Sequence, residues 1–163
     1  MLKYLKDTSA LVVLGFIISI ATTVFIFWDD HNLKQIDYDY IKSIQPYVDE
    51  ENFYFHIDEF LYEVDNIKIR GYGFFTNEDI KKFKNHIILK EKNSEKYLLV
   101  PTVMEIRQDV EDTLGNGNKI KYSGFISNID ARKLEFEKIY EVFYLYESNN
   151  NKMLIKTDLE IKR

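Results

Sequence analysis

The 163-residue chain contains no cysteine. This excludes a disulfide framework, a thiolate metal site and attachment to lipid through a cysteine. Clustered positive charge is also missing. Lys and Arg number 22 against 27 Asp and Glu, a net charge of -5. Phosphate backbones need clustered basic residues, so nucleic acid is excluded as a partner. The acidic balance also argues against lying flat on anionic lipid. Gly115-Asn116-Gly117 is not followed by the Lys-Ser/Thr of a phosphate loop. Ser123-Gly124-Phe125 lacks the second glycine of a nucleophile elbow. His31, His56 and His86 are scattered, and His56-x-Asp58 offers two ligands where zinc needs three or four. No carboxylate pair stands out for glycosidase chemistry. These absences point to a non-enzymatic protein with no cofactor and no metal.

What is present begins with Ser9 to Trp28, an uncharged and mostly apolar run of 20 residues. At about 1.5 Å per residue, a helix of this length matches a bilayer core of roughly 30 Å. Lys3 and Lys6 precede it, and Asp29 and Asp30 follow it. Positive charge stays on the cytoplasmic side, so the N-terminus is expected inside and the following domain outside. Trp28 suits the lipid–water interface, as does Tyr4 on the other side. A signal peptide cleaved after Ala21 competes with this reading, but the apolar run continues through Trp28 and is too long for the usual signal. Gly15 and Ser19, four residues apart, are candidates for close packing against a second membrane helix.

The expected organisation is a cytoplasmic leader at 1–8, a membrane helix at 9–28, a juxtamembrane connector at 29–52 and a folded domain at 53–163. Ile36, Tyr40, Ile44 and Tyr47 recur at helical spacing in the connector, and Pro46 would end such a helix, so a short helix or an extended stalk is expected there. From Phe53 the period falls to two. Phe53–Val64 alternates with a slip near Asp58-Glu59 that fits a bulge. Strands follow at Ile67–Phe75, Asn85–Glu91, Lys96–Ile106, Lys119–Ile129, Ile139–Glu147 and Met153–Ile161. Asn93-Ser94-Glu95 turns a hairpin, Pro101 marks an edge or a bend, and Gln108–Asn118 reads as a long loop. About seven short strands with turns every ten or so residues predict a mainly β fold. The expected form is an antiparallel immunoglobulin-like β-sandwich without the Cys–Trp–Cys core of antibody domains.

The order Gly71-Tyr72-Gly73-Phe74-Phe75, His86-Ile87-Ile88-Leu89-Lys90, Arg107-Gln108-Asp109-Val110, Ser123-Gly124-Phe125 and then a Tyr-rich strand carries a resemblance. It resembles a small β-sandwich module of bacterial membrane proteins associated with cell-surface polysaccharide biosynthesis, over about residues 65–163. Tyr72 stands where that family has Trp, and Glu137-Lys138-Ile139-Tyr140 lacks its glycine. The resemblance implies the fold and a cell-envelope setting, and no activity.

Candidate binding residues are therefore few. Arg107 and Asp109 at a strand end suit either orientation of a sugar or phosphate, or a loop-bracing role, which the residue types favour. Tyr140, Tyr144 and Tyr146 share one strand face with Val142, opposite Ile139, Phe143 and Leu145. With both faces apolar, one is a candidate surface for sugar rings or for another protein. The acidic stretch 109–118 has oxygen ligands for calcium but not the EF-hand spacing. The expectation is a single-pass, membrane-anchored extracytoplasmic accessory or binding module of the bacterial envelope, linked to surface-polysaccharide assembly. A protein–protein scaffold or sensor acting through the membrane helix is the alternative, and direct carbohydrate binding a second. Expected partners are the bilayer and an envelope membrane protein or surface glycan.

Overall fold

A computed structural model describes residues 11–24, 32–44, 52–76, 83–115, 119–148 and 152–163. The chain divides into two compact units, Met1–Asn32 and Leu33–Arg163. In the first, residues 11–24 form helix α1. Its large apolar side chains are exposed around the whole circumference, from Leu11 and Phe16 to Ile20 and Val24. No helix among the described residues is long and apolar enough to cross a membrane. Both ends of the Ser9–Trp28 run lie outside the described residues, as do Tyr4, Lys3, Lys6, Asp29, Asp30, His31, Pro46 and Tyr47.

The second unit is a sandwich of two antiparallel sheets. Its strands are β1 (Lys34–Ile36), β2 (Phe53–Tyr62), β3 (Asn66–Phe75), β4 (Phe83–Glu91), β5 (Tyr97–Leu99), β6 (Thr102–Glu105), β7 (Gly124–Asp130), β8 (Ile139–Ser148) and β9 (Lys152–Lys162). The five-stranded sheet has the order β1-β5-β4-β8-β9, and the four-stranded sheet β2-β3-β7-β6. Period-two alternation sends Ile67, Ile69, Ile87, Leu89, Phe125, Ile129, Tyr140, Val142, Tyr144 and Ile161 between the sheets, where all are fully buried. Burial of this apolar area drives the fold, at roughly 1.5–3 kcal/mol per large side chain.

Three segments differ from their sequence reading. Lys96–Ile106 is two strands on different sheets, joined at Val100-Pro101. Proline cannot donate to a ladder, so it sits at the crossing. There the Thr102 hydroxyl accepts from the Ile87 amide at 3.2 Å and bonds Ser127 Oγ at 2.7 Å, stitching the sheets together. Gln108–Leu114 is a helix, α3, and not a loop. Helix α2 (Tyr38–Ser43) precedes it in the chain. Val110 and Leu114, four apart, pack α3 onto Phe74 and Ile120, and Asp109 and Glu111 sit favourably in its first turn. The strand expected from Lys119 starts only at Gly124, because residues 121–122 form a turn.

The stretch Leu33–Ile44 packs onto the sandwich as a strap. β1 pairs with β5, and α2 is N-capped by Asp37, whose side chain accepts from the Asp39 amide at 3.0 Å. Ile36, Tyr38, Ile41 and Ile44 cover Ile88, Tyr97, Phe143, Leu145 and Leu154 on the outer face of the five-stranded sheet. Tyr40 Oη donates to Glu147 and receives a bond from Lys152 Nζ at 2.8 Å. The second apolar face of β8 is thus covered by the chain itself.

Candidate functional site

Tyr140, Tyr144 and Tyr146 lie on the inner face of β8 and are 0% exposed. They offer no surface to a ligand. Their rings fill the space between the sheets: Tyr144 lies 4.5 Å from Phe55 and 5.2 Å from Phe125, and Tyr146 5.2 Å from Phe53. The Tyr144 hydroxyl donates to buried Asn85 Oδ1 at 2.5 Å, and Asn85 Nδ2 donates to the Ser123 carbonyl at 2.9 Å. Burial pushes the Tyr144 phenol well above its ordinary value. Alternation separates the two faces of β8, but sequence alone does not say which of two apolar faces meets the other sheet.

Arg107 and Asp109 do come together. Arg107 sits at the N-cap of α3 with a side chain only 8% exposed. Its Nε donates to Asp109 Oδ1 at 2.9 Å and its Nη2 to Asp109 Oδ2 at 2.6 Å. Its Nη1 donates to Asp58, on β2. Its guanidinium lies 5.1 Å from the centre of the Tyr72 ring. This arrangement holds the Asp109 carboxyl at about 2, chiefly through the Arg107 hydrogen bonds, and raises the Arg107 guanidinium above its already high value. Each of the three guanidinium nitrogens donates to a carboxylate, which ties the start of α3 to β2.

Residues of the segments 71–75, 107–110 and 123–125 pack around this cluster. A Cβ on Gly124 would overlap Arg107 Cγ, and one on Gly71 would overlap the His56 carbonyl oxygen. Ser123 O accepts from the Gly73 amide at 3.1 Å, Phe125 is fully buried, and Val110 is buried under α3. Ser123 Oγ is buried with no hydrogen-bond partner and has no histidine or acid poised on it. The acidic stretch is committed locally where it is described. Besides Asp109, Glu111 accepts from the Lys121 amide at 2.8 Å and Asp112 from Gln108 Nε2 at 2.9 Å. Asn116 and Asn118 lie outside the described residues. Among the described residues no group of three or more His, Asp or Glu is placed to hold a metal ion. His56 Nε2 lies 3.9 Å from Asp58 Oδ1, and His86 is held below its ordinary value by burial. Gly15 and Ser19 lie in α1, both exposed.

Asp58 leads to a site that residue motifs did not reveal. It is the extra residue of a bulge in β2, where the register with β3 steps from Ile57↔Gly71 to Glu59↔Arg70. β9 is bulged too: Glu141 pairs with Glu160 but Phe143 with Lys156, so three residues of β9 face one of β8. β2 and β9 are edge strands of the two sheets. Between them lies a groove of about 420 Å³ lined by Phe55, His56, Ile57, Phe60, Lys156, Thr157, Asp158 and Leu159. The Thr157 hydroxyl turns away to donate to the Val142 carbonyl at 2.8 Å. Lys156 is tied to Glu141 at 2.5 Å. The slip at Asp58-Glu59 was the one signal of this groove in the sequence.

The geometry defines a β-sandwich with an open edge lined by four apolar and four polar residues. Comparison with protein-family models, curated proteins and solved structures returned no match.

Proposed function

We propose that this is a membrane-anchored, extracytoplasmic, non-enzymatic binding module of a bacterial cell envelope. The observation that carries the reading is α1, whose apolar side chains are exposed all round. A helix apolar on every side finds a suitable solvent in lipid. The charges flanking Ser9–Trp28 support an inside N-terminus. Four residues, Asp29 to Asn32, separate Trp28 from Leu33.

The finer fold assignment is of immunoglobulin type. In support, β2-β3-β7-β6 follows the A-B-E-D order of such sandwiches, and β5-β4-β8-β9 follows C′-C-F-G. A place in surface-polysaccharide assembly rests on the resemblance of the Arg107-x-Asp109-Val110 and Ser123-Gly124-Phe125 motifs. Direct sugar binding through Tyr140, Tyr144 and Tyr146 loses its basis, since those rings are buried. A scaffold acting through Gly15 and Ser19, four residues apart on α1, is the second reading.

The absence of native cysteine makes a direct test available. Val64→Cys places one thiol at a position 85% exposed. A membrane-impermeant maleimide added to intact cells is expected to label it. Labelling only after lysis refutes the extracytoplasmic placement.

A further inference from the structure

The outer face of the four-stranded sheet carries a row of aromatic rings. Period two puts Tyr54 and His56 of β2 and Tyr72 and Phe74 of β3 on this face, and the register sets Tyr54 opposite Phe74 and His56 opposite Tyr72. The Tyr72 and Phe74 rings lie 6.2 Å apart and 24° from parallel. The Phe74 and Tyr54 rings lie 5.5 Å apart and 19° from parallel. His56 flanks Tyr72 at 5.7 Å. One end of the row is covered: the Arg107 guanidinium lies 5.1 Å from the Tyr72 ring, and Val110 and Leu114 of α3 pack with Phe74. The other end is open. Tyr54 is 48% exposed, and the His56 side chain 61%. Neither the Tyr54 nor the Tyr72 hydroxyl has a hydrogen-bond partner among the described residues. Strand pairing holds these rings in place before any ligand arrives, which lowers the ordering cost of binding.

The surrounding charges narrow the ligand. Arg70 is held by Glu105 at 2.7 and 2.9 Å, Lys68 by Glu59 at 2.8 Å, and Arg107 by Asp58 and Asp109. The cations of β3 and of the α3 N-cap are thus paired already, which disfavours a phosphate or carboxylate ligand. Arg107 in turn offsets the two carboxylates that would draw a cation. The exposed rings present roughly 300 Å², against about 800 Å² per side for a stable protein interface. What fits is a small neutral ligand with one apolar face and hydroxyls around its edge, and a sugar ring has that form.

We propose that this row binds a neutral oligosaccharide, one sugar lying with its C–H face on Tyr54 and its hydroxyls at His56 and Tyr72. The inference rests on the binding-module reading and names that module's ligand.

The test is saturation-transfer nuclear magnetic resonance on the full chain in phosphatidylcholine nanodiscs, which avoid sugar-headed detergents. The probes are cellotetraose, chitotetraose and, as the anionic arm, tetragalacturonate. Transfer to ring C–H protons of cellotetraose or chitotetraose is expected, and empty nanodiscs should give none. Tyr54→Ala should weaken that binding about tenfold or more, and Tyr54→Trp should preserve it. His56→Ala, at an exposed side chain, should also weaken it and decides the matter if Tyr54→Ala fails to fold by circular dichroism. Phe136→Ala removes a ring that is 76% exposed on the loop before β8 and should change nothing. Transfer to neither neutral probe overturns the proposal, as does a preference for tetragalacturonate. Binding that a folded Tyr54→Ala or His56→Ala chain retains in full overturns it too. External labelling of Val64→Cys without sugar binding overturns this inference alone and leaves the extracytoplasmic placement standing.

Discussion

Replacing Arg107 with Met keeps most of the apolar stem and deletes the guanidinium. Three interactions go at once: the paired bonds to Asp109, the bond to Asp58 and the contact with the Tyr72 ring. Breaking a fully buried ion pair costs about 3–5 kcal/mol, because the remaining charge is left without a partner. Here the two carboxylates differ: the Asp109 side chain is 66% exposed and regains water, while the Asp58 side chain is 23% exposed. The expected cost is therefore about 2–3 kcal/mol, most of it from the stranding of Asp58. Asp109→Asn should cost only about 1 kcal/mol, since solvent screens most of its interaction. For a domain of this size, about 2–3 kcal/mol lowers the melting temperature by roughly 8–12 °C. Urea titration of the full chain, followed by near-ultraviolet circular dichroism of the buried tyrosines, measures the difference. An Arg107→Met midpoint indistinguishable from the parent would refute the bracing role. So would an Asp109→Asn loss as large as that of Arg107→Met.

Acid should act through the same cluster. The Asp109 carboxyl titrates at about 2 in the fold against 3.8 for the free group. Its contribution is then fully present above about 4 and is lost as pH falls towards 2, when the folded state must take up the proton. With the exposure of Asp109, the loss amounts to about 1 kcal/mol. Asp109→Asn should flatten this part of the stability profile; an unchanged slope would show that other carboxylates carry it.

Other substitutions probe separate joints. Tyr144→Phe removes the donor to buried Asn85 and should cost about 1–3 kcal/mol in denaturant titration. Gly71→Ala drives a Cβ into the His56 backbone and should cost about 3 kcal/mol, read the same way. Glu137 has a φ of 62°, in the left-handed region, so Glu137→Gly should leave stability unchanged or raise it by up to about 1 kcal/mol. Ile41→Asp should speed hydrogen exchange at Lys34–Ile36 and Tyr97–Leu99 while β8 stays protected, because the strap packs on the outer face alone.

How much of the fold the sequence disclosed depended on whether a segment's period was pure. β3 and β9 alternate cleanly and were placed almost to the residue. α3 was missed because its apolar contacts are two residues, Val110 and Leu114, in a run of charged and polar neighbours that reads as loop. The strap was read in part. The spacing of Ile36, Tyr40 and Ile44 suggested a helix, yet Ile36 belongs to a strand paired with β5. Three residues are too short a window for periodicity to separate the two. The tyrosines of β8 show a different limit. Both faces of a central strand are apolar when each is covered, one by the other sheet and one by the strap. Only the tertiary partner distinguishes buried from available.

The two bulges explain why the groove was only half visible. In β2 the insertion is one residue, Asp58, so the alternation changes phase and the sequence shows a slip. In β9 two extra residues are inserted opposite β8, so the phase is restored and Met153, Ile155, Thr157, Leu159 and Ile161 run on as though the strand were regular. An even insertion leaves no trace in a period-two pattern, although it disrupts the ladder as an odd one does. The groove therefore depends on one feature that a sequence can disclose and one that it cannot. Restoring regularity in β2 by deleting Asp58 would remove an Arg107 partner while leaving Ile57 opposite Gly71, Glu59 opposite Arg70 and Phe60 opposite Ile69, so every other side chain would keep its face. That coupling ties the motif residues at the start of α3 to the open edge of the sandwich.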